Sequence, residues 1–165
     1  MKIIPRVLFV ALLVLCPAII WGTSGALPDR VATHFDHDGL PNGWMSNDGY
    51  RVFMLLLGTL VPLFVVLMAG LTPQLAGRTM KVPNPDYWLA PERKAGTMAF
   101  MLSHACWLGA AMLAFFIGMH LLLLRANATV PPRLPEQPFF AMIAVLVIVV
   151  IVWALALRTR FRRPG

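Results

Sequence analysis

The sequence predicts an all-α integral membrane protein with four transmembrane helices, both chain ends in the cytoplasm, and one ordered extracytoplasmic loop. The first reason is composition. Of 165 residues, 59% are hydrophobic and only 13% are charged, and the mean hydropathy is +0.74, whereas a soluble domain carries roughly a quarter charged residues. The second reason is that the charges are grouped, leaving four long uncharged gaps. Each gap can hold the ~20 apolar residues that cross a bilayer as a helix.

The predicted spans form a single membrane domain over residues 1–165. They cover about residues 7–27, 52–71, 97–124 and 139–157, with an outer loop at 28–50 and a cytoplasmic loop at 72–96. A cleaved secretory signal is the alternative for the first span, because Lys2 and Arg6 precede it and small residues end it. A retained helix is favoured, since the apolar stretch is longer than the usual core of a signal peptide.

The distribution of Lys and Arg predicts the orientation. The N-terminus, the 72–96 loop and the C-terminus hold two, four and four basic residues. The outer loop holds Arg30, with Arg51 at its edge, and the 125–138 loop holds Arg125 and Arg133. Three basic segments therefore alternate with two poorer ones, which places both chain ends inside and the 28–50 and 125–138 loops outside.

The net charge of +7 and the pI of about 10.5 do not indicate a nucleic-acid-binding protein. The basic residues flank apolar spans, as expected of cytoplasmic segments of membrane proteins, so the expected partner is the lipid bilayer. The two cysteines, Cys16 and Cys106, fall inside apolar spans. They are predicted to be small buried residues and do not indicate a disulfide framework.

The outer loop is the one long polar passage in the first half of the chain. Residues 31–35 are predicted as a short extended piece, and Asp38-Gly39 and Asn42-Gly43 are dipeptides typical of turns. Trp44 and Tyr50 are expected to lie at the membrane interface. A connection of this length is often functional.

Four potential metal ligands, His34, Asp36, His37 and Asp38, lie within five positions of the outer loop. Imidazole and carboxylate groups bind Zn²⁺ and similar ions, but this spacing is not a recognised pattern and needs a ligand from a second element. His120, near the outer end of the third span, is the candidate. The metal hypothesis therefore rests on His34, Asp36, His37 and His120. The simpler interpretation is that His34 packs within the loop, the aspartates face water, and the protein has no cofactor.

The spans themselves contain few groups that could do chemistry. No Asp, Glu, Lys or Arg lies inside any span, which disfavours a proton- or ion-coupled transporter, and the deeply placed His104 is the cheapest ionisable group to bury. Ala110, Ala114 and Gly118 recur every four residues and predict a close helix–helix contact. No nucleophile, base and metal are grouped in the sequence, so no catalytic residue is predicted.

Two stretches resemble a known family. The first is the outer-loop signature and the second lies in the cytoplasmic loop. The first comprises Pro28, His34, Phe35, Gly39, Pro41, Gly43 and Trp44, and the second comprises Asn84, Tyr87, Trp88, Pro91, Glu92 and Arg93. They are similar to a bacterial membrane-protein domain of unknown function that also forms the N-terminal part of SdpI-type immunity proteins. Asn47 stands where many relatives have Lys, and the second signature domain of the full immunity proteins is not seen.

The resemblance implies a bacterial protein of the cytoplasmic membrane with several spans, and it supplies no catalytic residues. The resulting hypothesis is a non-enzymatic binding, sensing or toxin-protection module. It would bind a peptide or protein ligand outside through the acid-rich outer loop and a protein partner inside through residues 84–94. The alternatives are a metal-dependent membrane enzyme or metal-handling protein that uses the outer-loop His and Asp residues, and a membrane subunit of a larger complex.

Overall fold

The computed structural model describes residues 3–76 and 82–162. Within these two ranges the chain forms five helices and two strands, and a 3₁₀ turn at Ser24–Ala26 comes directly after the first helix. In chain order the elements are α1 (Ile4–Thr23), β1 (Arg30–Phe35), β2 (Pro41–Ser46), α2 (Asn47–Ala76), α3 (Pro85–Trp88), α4 (Pro91–Asn127) and α5 (Glu136–Arg160).

Among the described residues, α1, α2, α4 and α5 are each long and apolar enough to cross a membrane. This finding supports the prediction of four spans and makes the chain a multi-pass membrane protein. Helices α2, α4 and α5 extend beyond the predicted spans at both ends, whereas α1 begins three residues early and ends at Thr23, before the predicted end at residue 27. In particular α4 has 37 residues, or about 55 Å of helix at 1.5 Å per residue. The reason is that a gap in charge marks the part of a helix inside lipid, whereas charged residues readily continue the helix into water.

The first turn of α4 follows the rules for a helix start. Pro91 occupies one of the first two helical positions and Glu92 lies in the first turn, where the missing proline N–H costs nothing and the carboxylate complements the helix dipole. Several basic residues that predicted the orientation lie outside the described residues. They are Lys2, Arg78, Lys81 and Arg163.

The core of the protein is a three-helix bundle of α1, α2 and α4. These helices pack against each other through small and medium-sized apolar side chains, whereas α5 packs mainly on α4 and has no buried residue. The exposed Val and Ile side chains of α5 are therefore accessible to lipid. The main bundle residues are Phe9, Cys16 and Ile20 of α1, Met54 and Val66 of α2, and Cys106, Ala110 and Leu113 of α4.

The ridge of small residues on α4 is used within the chain. Ala110 is buried in the three-helix core, while Ala114 lines a small cavity against α5. A Cβ at Gly118 would lie 2.7 Å from Met142 Sδ of α5. The predicted close helix–helix contact is therefore present at Gly118, where its partner is α5 of the same chain, while Ala110 packs within the three-helix core.

The outer loop contains a β-hairpin, so the chain is mostly rather than entirely helical. Strands β1 and β2 pair antiparallel, with Arg30 opposite Ser46 and Phe35 opposite Pro41, and the register is irregular around His34. The inward side chains Val31, Phe35 and Met45 pack on the helical core. The predicted extended piece is part of β1.

Of the two predicted turns, Asp38-Gly39 forms a turn and Asn42-Gly43 does not. Gly39 lies in the hairpin loop at φ 73°, a left-handed conformation that glycine adopts without strain. Asn42-Gly43 lies inside β2 instead. The reason is a close approach across the hairpin, because a Cβ on Gly43 would lie 2.9 Å from the Cβ of His34.

The helix packing makes a direct prediction at Gly109. A Cβ there would lie 2.6 Å from Val66 Cγ2 and 2.7 Å from Phe9 Cε2, so α1, α2 and α4 have no room for it. Gly109→Ala should therefore destabilise the detergent-solubilised protein by about 1–3 kcal/mol, the usual cost of overpacking. The measurement is the midpoint of thermal unfolding.

Gly96→Ala on the same helix is the matched control, because nothing lies within 4 Å of a Cβ there. It should leave the unfolding midpoint unchanged or raise it, since alanine favours helix over glycine by up to about 1 kcal/mol. Equal midpoints for the two variants would contradict the tight three-helix contact.

Candidate functional site

A buried chain of hydrogen bonds lies where the hairpin joins the bundle. His120 of α4 is fully buried, and both its ring nitrogens have partners from other helices. Its Nε2 lies 2.7 Å from Thr23 Oγ1 at the end of α1, and its Nδ1 lies 2.8 Å from the hydroxyl of Tyr50 in the first turn of α2. The rings of Tyr50 and His120 also stack, with centroids 5.8 Å apart.

The direction of each hydrogen bond in this chain follows from the first. Thr23 donates its hydroxyl proton to the Ile19 carbonyl at 2.7 Å. Its oxygen must then accept from His120, which places the imidazole proton on Nε2. A neutral imidazole with Nε2–H has an acceptor at Nδ1, and Tyr50 donates to it. Every donor and acceptor is used without any net charge, which is the condition for burying polar groups cheaply.

This histidine chain fixes the two helices that flank the hairpin. Thr23 is the last residue of α1 and Tyr50 is the fourth of α2, and the hairpin lies between them in sequence. His120 lies about 10 Å below the end of α4 at 1.5 Å per residue. The base of the hairpin is therefore anchored to α4 inside the bundle.

Asn127, the last residue of α4, holds the hairpin directly. Its Oδ1 accepts from the Ala32 backbone N–H at 2.8 Å, and its Nδ2 donates to the Ala32 carbonyl at 3.0 Å and to the Leu123 carbonyl at 2.9 Å. The side-chain amide thus pairs with the free edge of β1 as another strand would. Sequence alone gave no role to this residue.

Asn47 closes the other side of the hairpin. Its Nδ2 donates to the carbonyls of Ser24 and Leu27 at 3.1 and 3.0 Å, and its backbone N–H donates to the backbone carbonyl of Asp29 at 2.9 Å. Asn47 therefore joins the start of α2 to the turn that follows α1. Ser24, buried beside it, donates its hydroxyl to the Ile20 carbonyl.

The solvent face of the hairpin is polar and carries one large aromatic. The Arg30 guanidinium lies 5.3 Å from the ring centroid of Trp44, a cation–π contact across the two strands. Trp44 is exposed, whereas Tyr50 is 1% exposed and belongs to the core. The predicted interface position of Tyr50 is wrong because its hydroxyl has an internal partner in His120.

The hairpin loop is shaped by Asp36. One carboxylate oxygen accepts from the backbone N–H groups of Asp38 and Leu40 at 3.0 and 2.9 Å, the usual role of Asp in a turn. The loop also contacts the segment before α5, because Leu134 N–H donates to Gly39 O at 3.0 Å and Arg133 donates to Asp38 O at 3.3 Å. Asp36 is therefore a structural residue of the loop.

The structure does not bring the proposed metal ligands together. His34 is exposed on the hairpin, with its Nδ1 3.1 Å from Thr33 Oγ1, and His37 is exposed 3.4 Å from the Asp38 carboxylate. Both nitrogens of His120 are occupied by Tyr50 and Thr23. Across residues 3–76 and 82–162, no three His, Cys, Asp or Glu side chains are grouped as a metal would require.

The remaining signature residues of the outer loop lie in or next to the hairpin. Pro28 is exposed ahead of β1, Phe35 packs against the core, and Pro41 starts β2. Gly39 and Gly43 give the turn and the close approach to His34. The signature therefore specifies the shape of the hairpin.

The cytoplasmic-loop signature is packed against the far end of the bundle. Trp88 is buried, its carbonyl accepts from the Thr97 hydroxyl at 2.8 Å, and its ring meets Phe161 edge-on. The Arg93 guanidinium lies 3.9 Å from the ring centroid of Tyr87. Asn84 precedes α3 in a left-handed conformation at φ 53°.

Comparison with known families identifies part of the chain. A family model described as Domain of unknown function (DUF1648) matches residues 8–60. These residues therefore carry a domain of unknown function, as the sequence predicted. The match includes the outer-loop signature, Thr23, Asn47 and Tyr50, while residues 84–94, His120 and Asn127 lie outside it. No curated protein and no solved structure matches the chain.

The histidine chain can be tested with the two tyrosines of the protein. Tyr50→Phe should lower the free energy of unfolding by about 1–3 kcal/mol, because it leaves the buried Nδ1 of His120 without a donor. Tyr87→Phe, in the loop at the other end, is the matched control and should have little effect. The measurement is unfolding of the detergent-solubilised protein.

A double-mutant cycle separates the hydrogen bond from the rest of the tyrosine. Tyr50→Phe should cost much less when combined with His120→Leu, with a coupling of roughly 0.5–3 kcal/mol between contacting residues. Strictly additive effects would contradict the hydrogen bond.

Proposed function

We propose that this chain is a non-enzymatic binding module of a bacterial cytoplasmic membrane and that hairpin β1–β2 is its extracytoplasmic recognition surface. One observation carries the proposal. A hairpin with a polar, exposed outer face is tied to the helices by partly buried hydrogen bonds from Asn47 and Asn127. The inner face of the hairpin, with Val31, meets the core.

A rigid support of this kind is what a binding surface needs. A two-stranded hairpin is marginally stable by itself in water, so its order here comes from the helices. A surface that is already in its bound conformation loses less entropy when a ligand arrives, which raises the affinity for a given set of contacts.

The charges of the hairpin end favour a cationic ligand. The carboxylates of Asp29, Asp38 and Asp48 are exposed. Arg30 lies over Trp44, and Arg51 lies 5.1 Å from the ring centroid of Trp21 and 3.8 Å from the Asp48 carboxylate. Exposed Arg133 donates to the Asp38 carbonyl, which leaves the Asp29 and Asp38 carboxylates free of an arginine partner among the described residues. Accessible negative charge beside exposed Trp44 suits a cationic peptide that also carries apolar side chains. Protection against a peptide toxin would be one form of such binding.

The proposed orientation puts the hairpin outside and both chain ends inside. It rests on the positive-inside rule. Exposed Lys94 and Arg158 lie at the end of the bundle opposite to the hairpin. In this orientation the exposed Asp86, Glu92 and Lys94 of the cytoplasmic loop are available to a protein partner, while Trp88 ties the same loop to the bundle.

The alternatives receive less support. A metal-dependent enzyme needs the histidines of the outer loop near His120, whose two nitrogens are occupied. A subunit interface through the Ala110, Ala114 and Gly118 ridge is less favoured, because Ala110 is buried in the three-helix core and Gly118 lies against Met142 of α5.

Cysteine labelling tests the orientation. Both native cysteines are buried, so the unmodified chain should stay unlabelled by a membrane-impermeant maleimide and serves as the blank. Asn42→Cys, on the hairpin, should be labelled in intact cells, whereas Lys94→Cys should be labelled only after permeabilisation. The reverse pattern would overturn the proposed orientation.

Peptide binding tests the recognition surface. A fluorescent Lys/Leu peptide is titrated against the protein in phosphatidylcholine nanodiscs, with empty nanodiscs as the blank and a Glu/Leu peptide of equal length for comparison. The combined Asp29→Asn and Asp38→Asn variant should weaken binding of the Lys/Leu peptide by about two- to thirtyfold, because each of the two exposed ion pairs contributes ~0.2–1 kcal/mol.

Two further variants locate the effect. Asn127→Ala should also weaken binding, since it releases β1 from α4, while Asp86→Asn at the opposite end should not. Equal affinity for the two peptides, or equal loss in the Asp86→Asn variant, would contradict a cationic ligand on the hairpin.

A further inference from the structure

We propose that a groove between α1 and α5 binds an acyl chain of an anionic phospholipid, with the phosphate of that lipid at Arg160. The groove has a volume of about 630 Å³ and lies over α4, within the 300–1,000 Å³ typical of ligand pockets. Its walls include Leu8 and Leu12 of α1 and Val152 and Ala156 of α5.

The floor of the groove is apolar because its polar groups are paired with each other. His104 donates from Nε2 to the Trp153 carbonyl at 3.0 Å, and Trp153 donates from Nε1 to the His104 carbonyl at 2.8 Å. The two rings stack with centroids 4.7 Å apart. The groove therefore offers aromatic and aliphatic surface, which suits a hydrocarbon chain better than a polar ligand.

The length of the groove matches one leaflet of a bilayer. Along α5 the lining runs from Ile148 to Ala156, which is about 12 Å of helix at 1.5 Å per residue. Arg160 lies one turn farther, about 18 Å from Ile148 by the same rise. Half of a hydrocarbon core of ~30 Å is ~15 Å, so Arg160 reaches headgroup level when the groove lies in the acyl region.

A continuous set of contacts joins the groove to this guanidinium. Phe100 stacks on His104 with centroids 5.2 Å apart, and Arg160 lies 5.4 Å from the centroid of Phe100 and 4.1 Å from that of Trp88. The guanidinium is thus held at the end of the groove by two aromatic rings. Arginine in a fixed position binds phosphate through two parallel hydrogen bonds.

Two more observations favour an anionic headgroup. The indole Nε1 of Trp88 is buried without an acceptor among the described residues, beside the Arg160 guanidinium, and a phosphate oxygen drawn to Arg160 would supply one. The charge at this end of the bundle is also complementary to an anion, with six basic and two acidic described side chains. They are Arg6, Arg93, Lys94, Arg158, Arg160 and Arg162, against Asp86 and Glu92.

Native mass spectrometry of the detergent-purified full-length protein tests the acyl site. Phosphatidylglycerol should remain bound more than phosphatidylcholine of the same chains. Ala156→Phe fills the groove from α5 and should reduce bound phosphatidylglycerol about tenfold, whereas Ala154→Phe, exposed on the same helix outside the groove, should not. Equal lipid occupancy in these two variants would overturn the proposal.

Variants of arginine test the headgroup site. Arg160→Gln should lower phosphatidylglycerol binding about tenfold, the loss of roughly one charge-assisted contact, while Arg125→Gln at the other end of α4 should not. Arg160→Lys keeps a charge over the rings and controls for folding, and it should retain part of the binding. Equal binding of phosphatidylglycerol and phosphatidylcholine would show that the site does not select an anionic lipid. Displacement of bound phosphatidylglycerol by inorganic phosphate alone would show that the acyl chain does not contribute to binding.

Discussion

The buried hydrogen bonds of His120 are the interaction on which the arrangement of the outer end depends. They connect the end of α1 and the start of α2 to α4 at one point inside the bundle. An imidazole suits this position because its neutral form donates from one nitrogen and accepts at the other. No other side chain places a donor and an acceptor on opposite sides of a rigid ring. The hairpin is thereby anchored at its base without burying a charge.

The exposed surface and the residues that support it are separate. The side chains of Asn47, Asn127 and Asp36 form hydrogen bonds with the backbone in and next to the outer loop. The side chains of Arg30, His34 and Trp44 are exposed. The same division appears at the other end, where the aromatic contacts of Trp88 hold the cytoplasmic loop and leave charged neighbours exposed. Function at either end can therefore change by surface substitution while the supporting contacts stay the same.

The four spans could be predicted from the sequence because lipid excludes charge, so the gaps between charged residues directly reflect the membrane. The ends of α4 could not be predicted in this way, because charged residues continue the same helix into water. The hairpin was predicted only in part, since Pro41, Asn42 and Gly43 interrupt the alternation of β2 and resemble a turn. Gly43 is in the strand because of its neighbour His34 across the hairpin.

The site was harder to predict, because its contacts join residues far apart in the chain. His120 pairs with Tyr50 and Thr23, which are 70 and 97 positions away. A histidine near the outer end of a span is also compatible with a metal ligand, so the residue type alone did not identify these partners. Asn127 forms hydrogen bonds with the backbone of Ala32, which is 95 positions away in the chain. Neither partner could be identified from local pattern, whereas Asp36 acts within four residues and its role in the turn follows a local rule.

The most direct test is ¹⁵N solid-state NMR of the histidine-labelled protein in lipid bilayers. The difference between spectra of the unmodified protein and of a His120→Gln variant isolates His120. The hydrogen-bond chain predicts a neutral imidazole at pH 7 that carries its proton on Nε2, with an unprotonated Nδ1 that accepts from Tyr50. A proton on Nδ1, or on both nitrogens, would contradict the anchoring of the hairpin through this residue.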